Sequence, residues 1–154
     1  MATPLPDPFT YRSMVGALQY LTNIRPDIAF IVNKLSQFLK APTDTHRSAV
    51  KHVLRYLTDT LYHGLTIQPT NSLTITTFSD MDWASNLDDR KSTATYCLYL
   101  GSTLISWSSK KKMAVARSSI ESEYRALAHA TAEISWVHNL LSEIGFSPAN
   151  VPIL

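Results

Sequence analysis

Hydrophobic positions recur at helical spacing in the first third of the chain and then change period. Met14, Ala17, Leu18 and Leu21 fall three and four apart, predicting a helix over about 11–23 with Thr10 as its N-cap. Arg25-Pro26-Asp27 breaks the chain and restarts it, because proline suits a first helical turn and an acid suits the positive end of the dipole. Ile28, Ile31, Val32, Leu35, Phe38 and Leu39 then share one face until Pro42. Asp44 reads as the cap of a third helix bearing Ala49, Val50, Val53, Leu54, Leu57 and Leu61, with Gly64 at its end. Each amphipathic stripe must be buried against something.

After Gly64 the alternation becomes that of strands. Leu65-Thr66-Ile67 is a short candidate, and Leu73 to Phe78 is a stronger one with β-branched residues at period two. Thr93–Leu100 and Thr103–Trp107, separated by Gly101-Ser102, predict a hairpin. Met113 to Ala116 is a further short apolar piece. Ser118-x-x-Glu121 has the form of a capping box. It opens a helix of roughly 25 residues whose stripe runs Tyr124, Leu127, Ala128, Thr131, Ile134, Val137, Leu141 and Ile144, stopped by Gly145. Val151 to Leu154 reads as the start of another strand. The pattern therefore divides into an extended arm at 1–9, which holds Pro4, Pro6 and Pro8, a helical segment at 10–63, and an α/β segment at 64–154.

Composition narrows the classes. At 154 residues and 45% hydrophobic, the chain suits an ordinary buried core. No apolar run is long enough for a membrane span, and no secretory leader is legible, so an intracellular site is expected, with the compartment left open. A single cysteine, Cys97, permits no internal disulfide and no cysteine-based zinc site, and it reads as a small buried hydrophobe. The net charge of +2 implies no partner by itself. The placement of the bases says more: Lys110, Lys111 and Lys112 run together at the hairpin end, followed by Arg117. These read either as solvated surface or as contacts to nucleic-acid phosphates.

Two carboxylates carry candidate chemistry. Asp80 closes the strongest strand, and Glu123 lies in the first turns of the long helix. Acids brought together from a strand and a helix can ligate Mg²⁺, a hard ion that prefers oxygen. The bland alternatives are a loop acid and a dipole-complementing glutamate. Asp82, Asp88 and Asp89 read as solvated loop acids, and the three tryptophans read as packing residues.

The local sequence adds a resemblance. Phe78-Ser79-Asp80-Met81-Asp82-Trp83-Ala84 followed by Asp88-Asp89-Arg90-Lys91-Ser92-Thr93, then Ile105-Ser106-Trp107-Ser108-Ser109-Lys110-Lys111, then Val115-Ala116-Arg117-Ser118-Ser119 through Glu121-Ser122-Glu123-Tyr124, resemble the ribonuclease H region of copia-type retrotransposon Pol polyproteins. Tyr11 to Leu21 and Arg25-Pro26-Asp27-Ile28-Ala29 are similar to the segment that joins reverse transcriptase to it. The resemblance spans about 9–154. It implies an α/β fold, a ribonuclease H-like mixed sheet with a long helix, truncated and preceded by a helical connection segment.

It also implies cleavage of the RNA strand of RNA–DNA hybrids with Mg²⁺ or Mn²⁺, Asp80 and Glu123 as the first two metal ligands and catalytic acids, and the remainder of the Pol polyprotein as a partner. The third acid of the family is an aspartate on the next strand, which is expected to lie beyond Leu154. The chain alone is therefore expected to be inactive; the alternative is a non-catalytic remnant that binds nucleic acid or protein. Met81, Ser85-Asn86, Ala94-Thr95 and Ile120 depart from the family pattern, and Thr95 stands where a glycine would allow a bulge.

Overall fold

The computed structural model describes residues 3–69, 73–85, 89–146 and 152–154. The chain forms two compact units, Met1–Leu65 and Thr66–Leu154.

The first unit holds helices α1 (Pro8–Leu21), α2 (Ala29–Ser36) and α3 (Asp44–Asp59), with a 3₁₀ turn at Pro26–Ile28. Its core is Tyr11, Val15, Leu18, Ile28, Val32, Leu35, Val50 and Val53, so one apolar stripe from each predicted helix is buried. The boundaries shift for polar reasons. Asp7, not Thr10, caps α1: its carboxylate accepts from Phe9 N at 2.9 Å and from Thr10 Oγ1 at 3.0 Å. Pro8 takes the first helical position, where a missing N–H is no loss, so the extended arm is shorter than expected. It is also tethered, since Leu5 N donates to the Pro42 carbonyl and Asp44 N to the Thr3 carbonyl.

The second helix stops at Ser36 rather than running to Leu39. The chain tightens there into i→i+3 bonds, Gln37 N to Lys34 O and Phe38 N to Leu35 O, while Tyr11 Oη also donates to Leu35 O and Arg12 Nε to Leu39 O beyond the helix, each at 2.8 Å. Arg25 fixes the α1–α2 connection. Its guanidinium grips both oxygens of Asp27 and donates to the carbonyl and hydroxyl of Thr60, while Tyr56 Oη donates to Asp27. That grip holds the Asp27 carboxyl below the usual carboxylate range.

Thr43, one residue before the expected Asp44, caps α3, and the reciprocal acceptor is His46. The imidazole Nδ1 accepts from Thr43 N at 3.1 Å, and the ring stacks on Phe38 at 3.9 Å. A histidine in this role is hidden from the S/T-x-x-E/Q pattern by which capping boxes are recognised.

The second unit is an α/β arrangement. Strands β1 (Ile75–Asp82), β2 (Thr93–Leu100) and β3 (Thr103–Lys111) form an antiparallel sheet in the order β1-β2-β3, and helix α4 (Ser119–Glu143) packs on it. The predicted hairpin is present. Gly101, with φ of 59°, opens its two-residue turn, as the tight connection requires. Ile153 pairs in parallel with Thr76 on the outer side of β1, donating to Ile75 O at 3.0 Å and accepting from Thr77 N at 2.9 Å. The three named strands are antiparallel, and this single parallel bridge lies at their edge where a strand start is expected; Val151 lies outside the described residues. Leu65-Thr66-Ile67 is not a strand, and neither is Met113–Ala116; a short apolar run without a ladder partner has nothing to hold it extended. Thr95 causes no bulge between β1 and β2 but pairs regularly across from Asp80; the irregularity in the sheet lies between Leu98 and Tyr99, on the β3 side.

The α4 stripe differs from the expected one in its first half. Ser122, Ala126 and Ala130 are buried, while Tyr124 and Leu127 are exposed; Ile134, Val137 and Leu141 are buried as expected, but Ile144 is the C-cap and exposed. Small residues let the helix approach the sheet where Met81, Ala94 and Ala126 meet. Gly145, with φ of 86°, ends the helix: its N–H reaches Ser142 O and that of Phe146 reaches Leu141 O, satisfying the last carbonyls.

Burial holds His46 below its ordinary value of 6.5. A group depressed in the folded state contributes its full stability above the unfolded value and loses it as pH falls below. The thermal midpoint should drop between about pH 7 and about pH 5. His46→Gln keeps the acceptor without titrating, so its midpoint should be flatter across that range. An equal drop in both proteins would refute the capping role.

Candidate functional site

Successive side chains of a strand point to opposite faces, and this sorts the candidate residues. Ile75 and Met81 of β1 join clusters with α4 residues, so the odd-numbered positions of β1 face the helix. Thr76, Phe78, Asp80 and Asp82 face the other way, and Phe78 meets Tyr99 edge-on at 6.1 Å on that open face. Asp80 is exposed and lies inside the strand rather than at its end. It pairs across to Thr95, whose hydroxyl donates to the Asp80 carbonyl at 3.4 Å.

Glu123 is exposed on α4, one turn before Ala126, which packs on Met81. Among the described residues, neither carboxylate has a hydrogen-bond or ion-pair partner, and no group of three or more His, Cys, Asp or Glu side chains could hold a metal ion. Two such acids do not on their own fit a two-ion site.

Glu121 is committed elsewhere. Ser118 Oγ caps Glu121 N at 3.1 Å, and the Glu121 carboxylate accepts from Arg117 N at 2.7 Å and pairs with Arg125 at 2.6 Å. It reaches back one residue farther than the expected box, to Arg117 rather than Ser118. In Glu121-Ser122-Glu123, then, the first acid organises the start of the helix and the second is left open.

The lysine run does not act as one patch. The lysines lie at the end of β3 away from the hairpin turn, and Lys110 and Lys111 belong to the strand. Lys110 pairs with Ala94 on the helix-facing side, where Lys112 follows it. Lys111 lies on the opposite face and pairs with Asp89 at 2.9 Å, which holds the Asp89 carboxyl below the usual range. Arg117 is exposed. Cys97 is half-buried, and burial pushes its thiol up. Sequence reasoning passed over Arg125, because a single base at a helical position gives no signal until its neighbours are known.

A three-stranded antiparallel sheet with a long helix on one face and a parallel pairing at β1 defines part of a ribonuclease H-like α/β fold. The chain is 48% identical over 152 residues to the "Retrovirus-related Pol polyprotein from transposon RE2" of Arabidopsis thaliana, and 47% identical over the same length to that from transposon RE1; each match covers 99% of this chain. It is also 44% identical over 128 residues to a Plasmopara viticola protein named "Secreted RxLR effector protein 161", covering 82% of this chain and 90% of that one. The chain belongs to the family of copia-type retrotransposon Pol polyproteins. It spans about a tenth of the length of those two Pol relatives. No family model matches it. No solved structure matches it. Among the described residues, no helix is long and apolar enough to cross a membrane.

Lys111→Met should return the Asp89 carboxyl toward its ordinary range, read by NMR titration of the side-chain resonance, whereas Lys110→Met should not. Equal shifts in both variants would refute the division of the lysines between faces.

Proposed function

We propose that this chain carries the opening part of a ribonuclease H site that becomes competent only with the strand that follows Ile153. The observation that carries the reading is the parallel pairing of Ile153 with Thr76. Asp80 lies four residues beyond Thr76, so a strand continuing in that register sets its third residue after Leu154 beside Asp80, on the same face. Adjacent strands lie about 4.8 Å apart, close enough for two carboxylates to share one cation. The ribonuclease H resemblance implies an aspartate on that strand. On this reading Asp80 is the first acid, Glu123 contributes from the helix side, and Mg²⁺ or Mn²⁺ binds once the added carboxylates offset its charge. The substrate is an RNA–DNA hybrid, and the structural partner is the remainder of the polyprotein. No hydrolytic step is assigned to this chain alone.

Among the described residues, the outer edge of β1 beyond Ile153 carries no strand, which supports the same reading. Alternate residues of a strand direct their backbone groups to the same side. The Ile153 bonds to Ile75 O and Thr77 N therefore mark the outward groups, and those of Ser79 and Met81 lie beyond Ile153 on that edge. Such an edge invites another strand.

The test compares cleavage of a labelled RNA–DNA hybrid, with Mg²⁺ or Mn²⁺, by this chain and by a version extended through the next strand and final helices. Activity is expected only in the extended protein, with Asp80→Asn lowering it by about 10²-fold or more, the scale on which misplacement of a catalytic group acts. Clear cleavage by this chain alone would overturn the requirement for the added strand. Cleavage by neither protein, alongside binding of the hybrid, would favour a non-catalytic binding remnant.

A further inference from the structure

A cavity of about 330 Å³ lies beside β1, lined by Met81, Ser92, Lys112, Ala114, Ala116 and Arg125. Hydrogen bonds hold its walls: Trp83 Nε1 donates to Ala116 O at 3.1 Å, Ala84 N to Ser92 Oγ at 3.1 Å, and Lys112 N to Ser92 O at 2.9 Å. Ala84 has φ of 52°, a left-handed conformation that a non-glycine residue keeps only when its surroundings impose it. The Ser92 hydroxyl is buried and accepts that N–H, keeping its own proton to donate.

Two cations serve this space. Lys112 is half-buried and has no ion pair among the described residues. Arg125 directs one nitrogen to Glu121 and keeps further N–H donors. Glu121 is the acid at hand, and it is already shared between Arg125 and the Arg117 N–H. Met81, Ala114 and Ala116 make the rest of the wall apolar, which strengthens any charge interaction inside it. Burial and the nearby Lys110 hold the Lys112 amino group below its ordinary range, as expected of an ammonium that lacks a counter-ion. Lys112 also lines an adjoining cleft with Lys110, Ser108 and His129, so positive charge continues along β3.

We propose that this cavity is a phosphate-binding site in which Lys112 and Arg125 hold one phosphate group, free or within a nucleic-acid strand. Lysine supplies a point charge and arginine a planar fork, the pairing used widely for phosphate oxygens. The site needs no divalent ion and stands whether or not Asp80 and Glu123 ever support cleavage.

The test uses the full chain in EDTA. One arm titrates inorganic phosphate by calorimetry; the other measures fluorescence anisotropy of a labelled RNA–DNA hybrid and its competition by phosphate. Lys112→Met and Arg125→Met should each weaken binding about 10-fold or more, while Lys111→Met, on the opposite face, should change it by less than about 2-fold. Ala114→Glu places an acid on the exposed wall with both cations intact, and should also abolish binding if the Met variants fail to fold. Phosphate binding without hybrid binding identifies a site for the free anion; hybrid binding that phosphate displaces identifies the strand backbone. Equal loss in Lys111→Met and Lys112→Met, or no binding in either arm, overturns the proposal.

Discussion

The pleat of β1 governs what the second unit can do. Its helix-facing positions are occupied by packing, with Ile75 against Ile134, Val137 and Leu141, and Met81 against Ala126. Asp80 must therefore project from the other face, because a one-residue slip would bury the acid and expose the core. The strand is paired with β2 along one edge and, among the described residues, meets Ile153 on the other. Any chemistry at Asp80 thus depends on what fills that outer edge. The same alternation in β3 separates Lys111 from Lys110 and Lys112, so three adjacent bases become one ion pair and one basic track.

The long helix shows how a polar feature positions a functional one. Ser122, Ala126 and Ala130 are small enough to let α4 lie close to β1. Glu121 then fixes the first turn by bonding back to Arg117 and forward to Arg125. That leaves Glu123 as the uncommitted acid of the pair and holds Arg125 where it lines the cavity with Lys112.

Much of this order is legible in the sequence. Period-3.6 stripes mark the helices of the first unit, period-two runs mark β1 and β2, and Gly101-Ser102 marks the hairpin. What the sequence conceals is what depends on partners distant in the chain. The second helix ends early in i→i+3 bonds, at a place where Tyr11 and Arg12 from α1 also bond to carbonyls 35 and 39. His46 caps α3 in a place where a glutamate or glutamine would have been recognised. Ranking α4 residues by hydrophobicity selects Tyr124 and Leu127, yet close approach selects serine and alanine. The candidate acids were identified by family resemblance, since an aspartate in a strand and a glutamate on a helix are common in any α/β protein. The face of β1 on which Asp80 lies could not be read until the register was known.

Register also limits what may complete the site. A parallel neighbour offset by one residue from the Ile153 pairing would turn its side chains to the helix face and set no acid beside Asp80. The two backbone bonds made by Ile153 are therefore more consequential than their number suggests. In a strand continuing from Ile153 they would fix the face of each position, and only the alternate positions in step with Ile153 would share the face of Asp80. A strand entering in this register also caps the outward groups of Ser79, removing the free edge that otherwise invites association. On the proposed reading, completing the acidic site and protecting the sheet edge would be the same structural event.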